Sequence, residues 1–235
     1  MKWVLTSIAA VAALATGPVN AADIPVKAPP PAAAYNWSGF YFGGTGGVGV
    51  LRTDWAFVNP AAFPSPNPTD DATWVGGGFV GIQWQTGNWV LGAEANWIAT
   101  GLRTSAFCPN ATFNCVVRLD DYWTAGPRVG YVMWNALWYA TGGFAEGRVK
   151  THTPAVATGV DFDASSVNQP GWFVGAGVEY VLGNTGLIFG LEYDHVGFDT
   201  KTHNPTPFAS NEVRNIGADV DTFRARLSYK FNWWR

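Results

Sequence analysis

Asp221-Thr-Phe-Arg-Ala-Arg-Leu-Ser-Tyr-Lys-Phe231 alternates without a break. Phe223, Ala225, Leu227, Tyr229 and Phe231 point one way, and Thr222, Arg224, Arg226, Ser228 and Lys230 the other. Period-two alternation marks a strand with two unlike faces. In a soluble sandwich the apolar face would meet a core and the polar face water. Here the polar face carries three cations, so any enclosed space on that side must supply acids. The apolar face ends in two aromatics, the pattern of a strand whose end meets lipid headgroups.

Seven further segments alternate in the same way. Residues 37–50 place Phe40, Phe42, Val48 and Val50 on one face and Tyr41 and Thr45 on the other. Residues 73–85 set Trp74, Val80, Ile82 and Trp84 against Thr73, Gln83 and Gln85. Trp74 and Trp84 are ten residues apart, which for a tilted strand is roughly 25 Å along a membrane normal, the spacing of two aromatic girdles. Residues 89–100 turn Trp89, Leu91 and Trp97 outward and Glu94 inward, and 119–133 turn Trp123, Val129 and Tyr131 outward and Arg128 inward. Pro127 cannot donate to a ladder and predicts a bulge or a missing bond there. Residues 137–148 turn Trp138 and Phe144 outward and Tyr139 and Thr141 inward, 172–182 turn Trp172 and Tyr180 outward and Glu179 inward, and 187–194 turn Leu187, Phe189, Leu191 and Tyr193 outward and Glu192 and Asp194 inward. Trp74, Trp84, Trp89, Trp97, Trp123, Tyr131, Trp172, Tyr180, Tyr229 and Phe231 are the expected girdle residues.

The connections alternate between a few residues and about twenty: 51–72, 101–118, 149–169 and 199–218 are the long ones. Short turns on one side and long loops on the other describe an all-β, eight-stranded antiparallel up-and-down transmembrane barrel. Both termini then lie on the short-turn, periplasmic side. Eight strands leave an interior that side chains fill. Glu94, Glu179, Glu192 and Asp194 face Arg128, Arg224, Arg226 and Lys230 across it, and buried charges must be paired. The expectation is a salt-bridge network that plugs the lumen and catalyses nothing.

Composition and the N-terminus agree. Charged residues are 13% and aromatics 15%, with 13 Trp and 28 Gly, far from average usage. A net charge of −3 with no basic tract excludes a nucleic-acid binder. Lys2, an apolar run to Ala15 and small residues at Val19 and Ala21 read as a signal peptide over 1–21. No later segment has 18 apolar residues in a row, so only a barrel could cross a membrane. Residues 24–34 hold four prolines and predict an extended tether of roughly 30 Å. The expected organisation is a signal peptide over 1–21, a periplasmic tether over 22–35 and a barrel over 36–235.

Cys108 and Cys115 lie in one long loop of an exported chain, and two such cysteines most simply pair. Closing so short a loop restrains the unfolded chain by about 2–3 kcal/mol. His152 and His203 fall in different long loops and His195 near a rim, and no nucleophile, zinc or phosphate-loop motif accompanies them. They read as polar loop residues. Asp54, Asp70, Asp71, Asp120, Asp121, Asp161 and Asp163 read as a solvated rim, with oxygen ligation of Ca²⁺ or Mg²⁺ bridging lipopolysaccharide phosphates as the alternative. No catalytic residue, cofactor or metal is expected.

Ala22-Asp-Ile-Pro-Val-Lys-Ala-Pro-Pro-Pro, then Tyr35-Asn-Trp-Ser-Gly-Phe-Tyr41, resembles the small outer-membrane proteins of alphaproteobacteria, the porin-family surface-antigen barrels of rhizobia and brucellae. Thr141-Gly-Gly-Phe-Ala145, Gly175-Ala-Gly-Val-Glu-Tyr180 and Leu191-Glu-Tyr193 resemble the same family's strand motifs. The closing strand is similar to the terminal signal read by barrel-assembly machinery, although Asn232 to Arg235 follow Phe231. The resemblance implies a barrel of the OmpA transmembrane type in the outer membrane of a Gram-negative cell, among lipid and lipopolysaccharide. It also implies covalent attachment of Ala22-Asp23 to peptidoglycan, as in some members. A structural envelope protein is the leading expectation, a narrow porin the second and a lipid A-modifying enzyme the third.

Overall fold

The computed structural model describes residues 35–59, 61, 63–70, 72–183, 185–204 and 213–231. The expected signal peptide, the tether through residue 34 with Ala22 and Asp23, Asp71, and the four residues after Phe231 lie outside the described residues. The strands are β1 (Gly39–Asn59), β2 (Thr69–Asp70), β3 (Ala72–Thr86), β4 (Trp89–Phe107), β5 (Asn114–Met133), β6 (Ala136–Pro154), β7 (Asp161–Val181), β8 (Leu187–His203) and β9 (Val213–Phe231). Eight of them close an antiparallel ring in the order β1-β3-β4-β5-β6-β7-β8-β9, with β9 pairing back onto β1 and the two-residue β2 added beside β4. No helix occurs among the described residues. The fold is the predicted eight-stranded up-and-down barrel.

Tight turns join the strands at one end. Thr86 pairs with Trp89 across Gly87-Asn88, with Gly87 at φ 60°. Met133 pairs with Ala136 across Trp134-Asn135, both in the left-handed region at 52° and 63°. Two consecutive positive φ values give the hairpin turn whose twist matches that of the flanking strands. Thr185 Oγ donates to the Leu182 carbonyl in the third tight turn. Beside Pro127 the β5–β6 pairing lapses between Ala125–Phe144 and Arg128–Thr141, while β4 keeps its register through Ala93–Pro127. The missing donor is left on one side only.

In the half of the barrel nearest the turns, the alternation runs apolar-out and polar-in, and the expected girdle residues all face outward. Trp74, Trp84, Trp89, Trp97 and Trp172 each leave more than half of their surface uncovered. Trp89 packs edge-on against Tyr131 at 5.1 Å beside the turns, and Trp97 pairs in register with Trp123 at the other edge. Val80, Ile82, Leu91, Val129 and Val174 lie exposed between the two rings. Such a band requires lipid.

Strand length departs from the sequence reading. The segments expected as long loops are largely strand: β1 runs to Asn59, β6 to Pro154 and β8 to His203. Past the far girdle the pattern inverts. Leu51, Trp55, Leu102, Val117, Leu119, Val149, Val196, Ile216 and Val220 turn inward and bury, forming one apolar cluster, while Arg52, Asp54, Arg103, Arg118 and Arg148 turn out and are exposed. A bulge at Asp120-Asp121 on β5 helps to reset the phase. These extensions form the tip end of the barrel.

Val80 sits midway along the lipid band, so Val80→Arg should destabilise the barrel by roughly 2–4 kcal/mol. Ser166 is exposed on β7 beyond Trp172, and Ser166→Arg should cost about 0–1 kcal/mol. Urea unfolding in micelles reads both, and equal midpoints for the two variants would contradict the band assignment.

Candidate functional site: the filled lumen

Midway through the band, four carboxylates share three guanidiniums. Arg226 forks onto Glu94, with Nη1 to Oε1 at 2.9 Å and Nη2 to Oε2 at 2.5 Å, and also donates to Glu192. Arg128 donates to Glu94 Oε2 at 3.2 Å and lies 2.6 Å from Glu179 Oε2. Arg224 donates to Glu192 Oε1 at 2.7 Å and to Asp194. All seven side chains are buried. Two tyrosine hydroxyls join the network: Tyr41 donates to Glu94 at 2.8 Å and Tyr139 to Glu192 at 2.6 Å. The Arg128 guanidinium lies 3.5 Å from the Tyr139 ring centroid, and that of Arg226 lies 3.9 Å from Phe79. Charge-assisted hydrogen bonds and aromatic faces together replace the lost water.

The local sequence makes room for these rings. Tyr41 is cross-strand from Gly81, where a Cβ would come within 2.2 Å of the ring. Tyr139 is cross-strand from Gly177, where a Cβ would come within 2.5 Å. Each tyrosine therefore lies flat across a glycine, with its hydroxyl aimed at a carboxylate two strands or more away.

Lys230 has another place. It donates to the carbonyl of Asn36 and, at 3.0 Å, to that of Ser38, with its ammonium 4.6 Å from the Tyr35 ring centroid. The expectation that residues 37–38 begin strand one is corrected here: residues 35–38 precede β1 and turn into the mouth beside the tight turns. Trp37 is fully buried among Val90, Leu137, Tyr139 and Ile188. Its amide donates to Gln85 Oε1 and its carbonyl accepts from Gln83 Nε2, both at 2.8 Å. A chain segment with its own polar partners thus seals that mouth.

Toward the tips the ion network gives way to the apolar cluster, and above it lies a small polar layer. Arg214 donates to Asp163 at 2.7 Å with both side chains buried, and the guanidinium lies 5.0 Å from the Trp55 ring centroid. His203 is fully buried, 3.1 Å from Gln169 Nε2. Burial and the Arg214 cation push its pKa down to about 4. Three expectations are corrected here. Asp163 is a buried ion-pair partner rather than a solvated rim acid. His203 is an interior residue and His152 lies on β6, not in a loop. Asp54, Asp70, Asp120, Asp121 and Asp161 sit on strands. Among the described residues no group of three His, Cys, Asp or Glu side chains is placed to hold a metal. Cys108 and Cys115 form a disulfide across the β4–β5 hairpin, with Cα atoms 5.1 Å apart.

A family model described as the outer membrane protein beta-barrel domain matches residues 9–231. The chain belongs to that family. It is 28% identical over 249 residues to the 31 kDa outer-membrane immunogenic protein of Brucella melitensis, covering 98% of this chain and all of the relative. It is 30% identical over 188 residues to the 22 kDa outer membrane protein of Rhizobium leguminosarum, covering 78% and 72%. The family places this barrel in the outer membrane. In fold it is similar to the outer membrane protease OmpT of Escherichia coli, with a TM-score of 0.51 at 9% identity over 82% of this chain and 97% of that one. OprG of Pseudomonas aeruginosa matches with a TM-score of 0.50 at 13% identity, covering 83% and 97%.

Sequence reasoning placed seven of the eight lumen charges together and missed the parts that hold them. Tyr41 and Tyr139 were readable as inward, but their role depends on a glycine in the neighbouring strand, which register alone reveals. Trp37 carried no signal, because a buried cap and a first strand residue look alike in sequence.

Arg226 contacts Glu94, Glu179 and Glu192. Arg226→Met should therefore destabilise by about 3–5 kcal/mol, and adding Glu94→Gln should recover part of it. A double-mutant cycle should give Glu94–Arg226 a larger coupling than Glu94–Arg128. Coupling near zero for both would mean that water screens the lumen.

His203 supplies a pH prediction. Its folded pKa lies below the ordinary 6.5, so the unfolded chain takes up the proton first. This stability is fully present above pH 6.5 and is lost as pH falls toward about 4. His203→Gln should flatten the thermal midpoint in that window, and an unchanged slope would remove His203 from the account.

Proposed function

We propose that this chain is a sealed structural barrel of the outer membrane, with both termini and the tight turns on the periplasmic side and the hairpin tips outside. One observation carries the reading: the interior is occupied from the Trp37 cap, through the ion network, to the apolar cluster beneath the tips. A porin needs a wet path, and three chemically different layers lie across it. The Brucella relative is named as immunogenic, and rigid exposed hairpins would give this chain the same property. The strand ending at Phe231 serves as the assembly signal.

The His–carboxylate pair His195–Asp221 bears on the enzyme reading. Asp221 also accepts from Tyr193 Oη at 2.6 Å and from Arg52. Among the described residues no Ser, Thr or Cys side chain is hydrogen-bonded to His195. This arrangement supports a structural pair over a charge-relay site.

The tether reading goes with the cap. The chain enters the barrel at Tyr35, and residues 35–38 are held there by Gln83, Gln85 and Lys230. A leader joined to peptidoglycan at Ala22-Asp23 would pull on that cap rather than on a strand edge. Planar-bilayer recording of the purified barrel should show no reproducible open channel, and a steady ohmic conductance would sink the sealed reading. Mass spectrometry of enzymatically digested sacculi should find a muropeptide on the Ala22 peptide. Complete detergent release of the protein from intact sacculi would remove the tether.

A further inference from the structure

Three cations stand side by side on the outside of the barrel. Arg103 on β4 is the register partner of Arg118 on β5, and Arg118 that of Lys150 on β6. Lys150 in turn faces Ser166 on β7. All point away from the lumen, and Arg118 and Lys150 leave about half of their side chains exposed, at 54% and 44%. Like charges directly opposite one another on a sheet are destabilising. Asp120 relieves part of the repulsion, lying 2.5 Å from Lys150 and 3.6 Å from Arg118. Among the described residues no acid is within ion-pair distance of Arg103, or of Arg148 just below Lys150 on the same face. Arg118, Lys150, His152, Asp161, Ser165 and Ser166 line a shallow groove of about 430 Å³ here.

Height and asymmetry narrow the partner. Arg118 is five residues beyond Trp123, and Arg103 and Lys150 are six beyond Trp97 and Phe144. On tilted strands that is roughly 13–15 Å above the girdle, in the layer just outside the acyl chains. The opposite wall is different: Arg52 there stands among Asp54, Asp70, Asp219 and Asp221, and is paired with Asp70 and Asp221. The β4–β6 wall instead sets three cations in one register row, with the Ser166 hydroxyl beside them.

We propose that the Arg103–Arg118–Lys150 row binds the anionic sugar headgroup of an outer-leaflet glycolipid, taking a phosphate between adjacent guanidiniums and a sugar hydroxyl at Ser166. Guanidinium pairs match phosphate in geometry as well as charge, and a bound anion would turn the like-charge repulsion into a bridge. The assignment to lipid rests on the proposed outward orientation of the tips. Binding in micelles does not depend on orientation, so the two readings fail separately.

The test titrates the full chain in detergent micelles with lipopolysaccharide trimmed to its phosphorylated inner core, with the same glycolipid after enzymatic dephosphorylation, and with inorganic phosphate. Dephosphorylation should weaken binding by about tenfold or more. The triple variant Arg103→Gln/Arg118→Gln/Lys150→Gln should weaken it by roughly a hundredfold, from the usual contribution of each cation near an anionic surface. Arg52→Gln on the opposite wall should leave it unchanged. Without glycolipid, the triple variant should melt near the parent temperature, since the repulsion removed and the exposed Asp120 pairs lost oppose one another. Three results would overturn the proposal: equal affinity for the dephosphorylated glycolipid, binding that survives the triple variant, or an equal loss in Arg52→Gln. Displacement of the glycolipid by millimolar phosphate would identify a free-anion site and overturn the lipid assignment.

Discussion

The ring strands other than β3 run well past the far girdle and so pass through two solvents, and that constraint governs which residue stands where. In lipid no backbone group can remain unpaired, so the ring must close. Beyond the lipid the same strands continue into water, and the favourable direction for an apolar side chain reverses. β1 shows both regimes on one strand. Phe40, Phe42 and Val48 face outward, whereas Leu51, Trp55 and Phe57 are buried inside. The molecule is a membrane barrel at one end and, continuous with it, a water-facing barrel with an ordinary core at the other.

The lumen charges follow from the membrane half. Buried ion pairs are a weak source of net stability, because desolvation consumes most of the attraction. They do make the two faces unlike. Register in a sheet is fixed by the difference between faces, since a one-residue slip exchanges them. An apolar lumen inside an apolar belt would leave little to resist slippage. With Glu94, Arg128, Glu192, Arg224 and Arg226 facing inward, a slip would carry unpaired charges into lipid. In the tip half Leu, Val, Ile and Phe join the inward face, and the buried charge there is the Arg214–Asp163 pair.

How much of this could be read in the sequence follows from the same inversion. The alternation of Trp74 to Trp84 or of Phe223 to Phe231 is uniform, so strand number, facing, girdles and most of the charge network were legible. Past Val50, Gly101 and Val220 the hydrophobic residues change phase, and two abutting patterns look like a strand followed by an irregular loop. The loop reading of His203 and Asp163 came from that break. The Asp120-Asp121 bulge disguised β5 further, because it shifts the count by one residue. Residues 35–38 were illegible for another reason: a cap is specified by Gln83, Gln85 and Lys230, which lie 46 to 194 positions away.

The three interior layers differ in chemistry, and this bears on whether the lumen ever opens. The cap is held by neutral hydrogen bonds and one lysine, the middle by charge, and the tip half by apolar packing. A small rearrangement that loosens one layer leaves the others intact. Water admitted at the cap would meet guanidiniums already committed to carboxylates and tyrosine hydroxyls, and above them a mainly apolar cluster. Conduction would require concerted loss of all three, including parts of the core that keep the long hairpins upright. A barrel built this way is suited to bearing load and holding shape. The cap closes one end of the barrel, and the cationic wall stands near the other.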